Sequence, residues 1–139
     1  MFKSCAHLIE CPELPATDLR DYCYATMFAG CRSLTKTGQT LWTNTANRSC
    51  DHMFAGCTGL TDVSDTIFSN NVNLTSECYC GMFEKCTNIS SVRILKKVLP
   101  DSADGCFEIL FAGCSKLSEI VYCCDKLGED ANTGINHTV

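Results

Sequence analysis

"MFAGC" occupies residues 27–31 and returns unchanged at 53–57. Relatives of the phrase surround it. Met1-Phe2-Lys3-Ser4-Cys5 opens the chain, Met82-Phe83-Glu84-Lys85-Cys86 follows, and Leu110-Phe111-Ala112-Gly113-Cys114 comes last. Aligned on the cysteine, the registers are 5, 31, 57, 86 and 114, so the steps are 26, 26, 29 and 28. Leu8, Leu34, Leu60, Ile89 and Leu117 each stand three residues beyond that cysteine, and Cys11, Thr37, Val63, Val92 and Ile120 three further on. The shared unit is (M/L)-F-x-x-C-x-x-(L/I), and all four methionines fall within it.

A period of this length lies in the range of leucine-rich repeats, in which each unit forms one coil of a solenoid. A single coil cannot bury its own apolar face, whereas stacked coils share one continuous core. The ladders expected to build that core are Phe2, Phe28, Phe54, Phe83 and Phe111, then Cys5, Cys31, Cys57, Cys86 and Cys114, then the five Leu/Ile positions. The pieces 60–63, 89–92 and 117–120 read as short strands or their edges. The stretch before each Met-Phe reads as one short helix. Pro15, Thr17 and Asp18 supply start signals, and Leu19, Cys23 and Met27 recur at i, i+4 and i+8. Ser102 begins the corresponding element of the last unit. Gly30, Gly56 and Gly113 sit where such a helix would stop, with Lys85 in that place in the fourth unit. The expected fold class is therefore α/β, about five coils, each a short helix plus a short strand in a parallel column. Residues 1–139 make one domain, with repeat phase clear over about 1–122 and a tail at 123–139. The chain starts halfway through a coil and ends in a polar run, as a piece of a longer protein would.

Composition narrows function. With 45% apolar and 19% charged residues the chain is ordinary globular material. A net charge of -5 with 11 scattered basic residues argues against nucleic acid. Lys96-Lys97, the one basic pair, reads as a solvated turn. No apolar run approaches the roughly 18 residues of a spanning helix, so no membrane insertion is expected. No signal peptide is visible, because Met1 already belongs to the repeat phrase.

Thirteen cysteines in 139 residues suggest a disulfide framework at first sight. Phase points elsewhere. Five belong to the ladder above, and Cys23, Cys50, Cys78 and Cys106 form a second series, each seven or eight residues before its partner. Cys11 fills the slot that holds Val63 and Val92 elsewhere. Free cysteine behaves well as a small buried hydrophobe. Stacked coils place equivalent residues about 4.8 Å apart, against the roughly 3.8 Å between Cβ atoms in a disulfide, so neighbours along a ladder are expected unbridged. A bridge between the two ladders stays open. A hydroxyl at Cys57 would have no evident partner.

Cys78-x-Cys80-x5-Cys86 and Cys123-Cys124 are the only metal-like groupings, and they lack the paired knuckles of structural zinc. There is no C-x-x-C redox pair. His7, His52 and His137 occupy unrelated phases, and an exposed or capping role suits His52 better than a Cys-His dyad. No phosphate loop, G-x-S-x-G or H-E-x-x-H occurs. The expectation is no enzyme, no cofactor and no metal.

The units 27–34 and 53–60, with Cys11-Pro12-Glu13-Leu14-Pro15-Ala16-Thr17-Asp18-Leu19, resemble the BspA-like leucine-rich repeats of the gut Bacteroidales type. The resemblance runs from residue 1 to about 122. It implies a right-handed solenoid and, commonly, a cell-surface or secreted protein used in adhesion or host interaction. Connectors two to four lack the Leu-Pro-Ala-Thr wording, and the period drifts upward to 28–29.

The candidate binding surface is what lies between the ladders. One column is Ile9, Thr35, Thr61, Ser90 and Ser118; the next is Glu10, Lys36, Asp62, Ser91 and Glu119. Trp42, the single tryptophan, stacks on a sugar or anchors a partner if exposed, and fills the connector if buried. The expected function is a non-enzymatic binding or adhesion module for a host or bacterial surface protein or glycan. The alternatives are a structural, self-associating protein encoded by a phage or mobile element, joined through end coils at Phe2 and Tyr122, and, more remotely, a cysteine-rich metal binder.

Overall fold

A computed structural model describes residues 1–69, 73–94 and 105–122. Successive units lie side by side and pair in parallel. Glu10 pairs with Lys36 and Lys36 with Asp62; Leu14 pairs with Thr40; Asp18 pairs with Asn44 and Asn44 with Asn73. Strands β1 (Ser91–Ile94) and β2 (Glu119–Tyr122) extend this to a parallel ladder running from Ser91↔Glu119 to Ile94↔Tyr122. Elsewhere the pairing is one residue at a time, because the chain turns away within a few residues of each contact.

The stretch before each Met-Phe is not a helix. Between residues 20 and 31 the amides alternate in destination. Cys23, Ala25, Met27, Ala29 and Cys31 donate to the carbonyl three residues back, while Tyr22, Tyr24, Thr26, Phe28 and Gly30 donate to Asn47, Ser49, Asp51, Met53 and Ala55 of the next unit. Every fourth residue takes the left-handed conformation: Tyr22, Thr26 and Gly30, then Arg48, His52 and Gly56, then Glu77, Gly81 and Lys85. An α-helix would keep its interior N–H groups within the segment, and an isolated helix this short is marginal in water. The string of turns gives half of them to the neighbour instead. Its period of four also explains why Leu19, Cys23 and Met27 imitate a helical stripe. Among the described residues the one α-helix is α1 (Thr66–Ser69).

The core is a set of rows running from unit to unit. Phe2, Phe28, Phe54, Phe83 and Phe111 stack with centroids 5.3–5.9 Å apart and planes within 12°. Beside them, the thiols of Cys31, Cys57, Cys86 and Cys114 donate to the carbonyls of Phe2, Phe28, Phe54 and Phe83 at 3.0–3.1 Å. The slot at Cys57 therefore has a polar partner, contrary to the sequence expectation. Leu34, Leu60, Ile89 and Leu117 are buried. The first unit packs on one side only, so Phe2 and Leu8 are half-buried and Cys5, assigned to a buried ladder, is exposed.

The second cysteine series needs correcting. Tyr24 donates to Ser49, Cys50 to Cys78 and Tyr79 to Cys106 through backbone amides. Ser49 thus stands in the row of Cys23, Cys78 and Cys106, and Cys50 in the aromatic row of Tyr24, Tyr79 and Phe107. Cys50 is much smaller than those rings, and Trp42 takes up the room. The Trp42 indole lies 5.8 Å from the Tyr24 ring, and its Nε1 and the Tyr79 hydroxyl both donate to the Ile67 carbonyl. Phe68 of α1 packs edge-on against Tyr79, Phe83 and Phe107. The residues added where the period lengthens to 29 therefore carry an apolar plug.

Candidate functional site

Parallel pairing carries the residues between the ladders to one outer face. Glu10, Thr35, Lys36, Thr61, Asp62, Ser90, Ser91, Ser118 and Glu119 are all exposed. The structure brings Glu10, Lys36 and Asp62 into one paired column and Ser91 and Glu119 into another. Charge alternates along the first column. The Thr61 hydroxyl turns back toward the Thr35 carbonyl at 3.5 Å, and the Ser118 hydroxyl donates to the Ser90 carbonyl at 3.2 Å. Trp42 is not on this face: it is 0% exposed, which removes it as a stacking platform.

Two hollows lie beside this face. Gly38 sits at φ +69° against the preceding unit, where a Cβ would lie 3.5 Å from Cys11 Cβ. A hollow of about 240 Å³ opens there, lined by Lys36, Thr37, Gly38, Gln39, Asp62 and Ser64. A second hollow of about 210 Å³ is lined by Glu13, Leu14, Pro15, Gln39 and Leu41. Gln39 lines both. Buried Thr37 braces the first hollow: its hydroxyl accepts the Ser64 amide at 2.9 Å and donates to the Gly38 carbonyl at 3.3 Å. Column reasoning finds Lys36 and Asp62 but misses Gln39 and Leu41.

The residues weighed for catalysis have other duties. His52 Nδ1 faces Asp51 Oδ1 at 2.7 Å and Nε2 faces Glu84 Oε2 at 3.2 Å, so the ring bridges two units. Gly81 lies beneath it: a Cβ there would sit 2.5 Å from His52 Nε2. Both imidazole nitrogens are occupied by carboxylates rather than by a thiol. Burial, reinforced by Asp51, Glu108 and Glu77, pushes the Cys80 thiol up to about 12. A thiol so placed is a poor nucleophile at neutral pH. Burial likewise raises Cys57 and Cys11 to about 12 and Cys114 to about 11. Eleven cysteines are free thiols among the described residues. Cys78, Cys80 and Cys86 do not converge, and no group of three or more metal-binding side chains occurs among the described residues. His7 is exposed. Lys96, Lys97, Ser102, Cys123, Cys124, His137 and the side chain of Tyr122 lie outside the description. No helix among the described residues is long and apolar enough to cross a membrane.

No family model, curated protein or solved structure matches the chain.

Proposed function

We propose that the chain is a non-enzymatic recognition module, a leucine-rich-repeat solenoid of the BspA-like kind that presents its outer strand face to a protein or glycan. The observation that carries this reading is the separation of roles within each unit. From the second unit on, the repeated Phe, Cys and Leu or Ile are buried in rows, while the residues that differ between copies stand exposed in register on one face. Such a surface varies its chemistry without disturbing its scaffold. Family resemblance adds a cell-surface or secreted setting in the full-length protein.

The test is binding of the purified chain to mixed glycan and peptide arrays, compared with a variant carrying Thr35→Ala, Thr61→Ala and Asp62→Ala. These exposed positions should leave the melting temperature within a degree or two. The expected result is a loss of about tenfold or more in binding to whichever features the native chain selects. Equal binding by the two proteins would sink the assignment of this face.

A further inference from the structure

We propose that Asn47 carries an N-linked glycan, and that the fold accepts one at this asparagine and not at Asn73 or Asn88. The inference rests on the cell-surface or secreted setting proposed above, not on the ligand of the strand face. Half of the eight asparagines stand two residues before Ser or Thr: Asn47-Arg48-Ser49, Asn73-Leu74-Thr75, Asn88-Ile89-Ser90 and Asn136-His137-Thr138. Ser and Thr fill 25 of the 139 positions, so that half is more than composition supplies. The triplet is the acceptor signal for transfer of an oligosaccharide to asparagine. In the transfer, Nδ2 bonds to the first sugar carbon of a lipid pyrophosphate-linked oligosaccharide. The bond from that carbon to the pyrophosphate breaks, the lipid pyrophosphate leaves, and Nδ2 gives up one proton.

The structure separates the three described triplets. Asn47 is exposed at the start of a turn string. Its backbone is held: the amide donates to Asp21 Oδ1 at 3.1 Å, and the carbonyl accepts the Tyr22 amide at 3.3 Å. Its side chain makes no hydrogen bond among the described residues. Along its row it stands between Asp21 and the small Ser76. A sugar on Nδ2 therefore displaces no bond and is carried from a fixed point.

Asn73 and Asn88 have their side-chain amides engaged. Asn73 Nδ2 donates to Asn44 Oδ1 at 2.7 Å, across two units. Asn88 is half-buried; its Nδ2 donates to the Thr58 carbonyl at 2.6 Å, and its Oδ1 accepts Lys116 Nζ at 2.6 Å. A sugar on either nitrogen replaces one hydrogen and crowds the acceptor, so a joint between units is lost. Asn136 lies outside the described residues. Timing follows from Ser49, the hydroxyl of the Asn47 triplet. It is 0% exposed in the fold, so the sugar is added before this part of the chain folds. The described triplets are then equally open, and folding decides which glycosylated chains reach the native state.

The experiment maps glycans on the whole chain from two sources: the cells that make it, and a host cell that receives it behind a cleavable signal peptide. Peptide-N-glycosidase in heavy-oxygen water converts each glycosylated asparagine to labelled aspartate, which mass spectrometry locates. In the folded chain from both sources Asn47 should be labelled, with Asn73 and Asn88 bare. Asn47→Gln should remove the label and, in chain made without glycan, leave the melting temperature within a degree or two. Asn88→Gln, also without glycan, should lower it by about 4 °C or more. Equal melting of the two variants overturns the proposal, because Asn88 would then be as free as Asn47. So does the absence of label in the chain from its own cells; if the signal-directed chain is nonetheless labelled at Asn47, the surface setting is what failed. A signal-directed chain that folds with Asn47 bare, or with Asn73 or Asn88 labelled, overturns the proposal through the site and leaves the setting and the strand face standing.

Discussion

At the scale of single residues, cysteine earns its repetition by doing two jobs in one slot. The Cys57 side chain is fully buried against the Phe stack, and its thiol donates to the Phe28 carbonyl at 3.1 Å. That carbonyl also accepts the Cys31 amide, so the thiol is a second donor to one oxygen. Cys57→Ser keeps a donor and loses volume; Cys57→Ala loses both. Each should cost about 1–2 kcal/mol by urea unfolding, with serine no worse than alanine. The buried thiols also make stability depend on pH. Their folded values are raised, to about 12 for Cys57 and about 11 for Cys114, from an ordinary 9.0. In the alkaline range the native state therefore binds more protons than the unfolded chain. The stability they contribute is complete below pH 9.0 and is lost as pH rises through 11 and 12. Melting temperatures measured from pH 8 upward should fall in that window, and a flat profile would contradict the burial assigned here. The rows themselves were readable from spacing alone, since Phe and Cys recur at one phase. The exchange of Ser49 and Cys50 left one mark, the seven residues from Cys50 to Cys57 where the other members of that series stand eight before their partners.

At the scale of elements, the turn string is what the sequence concealed. Apolar residues every four positions satisfy both a helix of 3.6 residues per turn and a turn of four, and only the hydrogen bonds distinguish them. The glycines were informative in a way the helical reading missed. Gly30, Gly56 and Gly113 share the left-handed conformation with Lys85, which holds φ +58° as a side-chain-bearing residue. That conformation costs an ordinary residue about 1–2 kcal/mol, partly offset by the greater freedom glycine has when unfolded. Lys85→Gly should therefore stabilise the chain by about 0.5–1 kcal/mol, seen as a higher urea midpoint with an unchanged slope. A lower midpoint would mean that the contact between Lys85 Nζ and Glu84 Oε1, 3.2 Å long, outweighs the backbone strain. The hollows lined by Gln39 belong to this scale too, because a pattern built on which residues recur passes over the connector positions that do not.

At the scale of the whole molecule, each unit is joined to its neighbours by rows rather than by scattered contacts. The polar row shows it plainly: Asn73 Nδ2 donates to Asn44 Oδ1, and Asn44 Nδ2 to Asp18 Oδ1, one unit after another. The alternating amides of the turn strings turn this architecture into a comb. Tyr79, Gly81, Phe83 and Lys85 donate forward to Cys106, Glu108, Leu110 and Ala112, while Cys80, Met82, Glu84 and Cys86 donate within their own string. In a chain shortened to residues 1–94, the first four amides should exchange with deuterium at least about tenfold faster than before, and the second four much less so. Uniform acceleration of all eight would show that the string cannot hold its shape unaided. Read this way, every second amide is a sensor of the unit that follows it, and exchange along one short segment reports on whether its neighbour is folded.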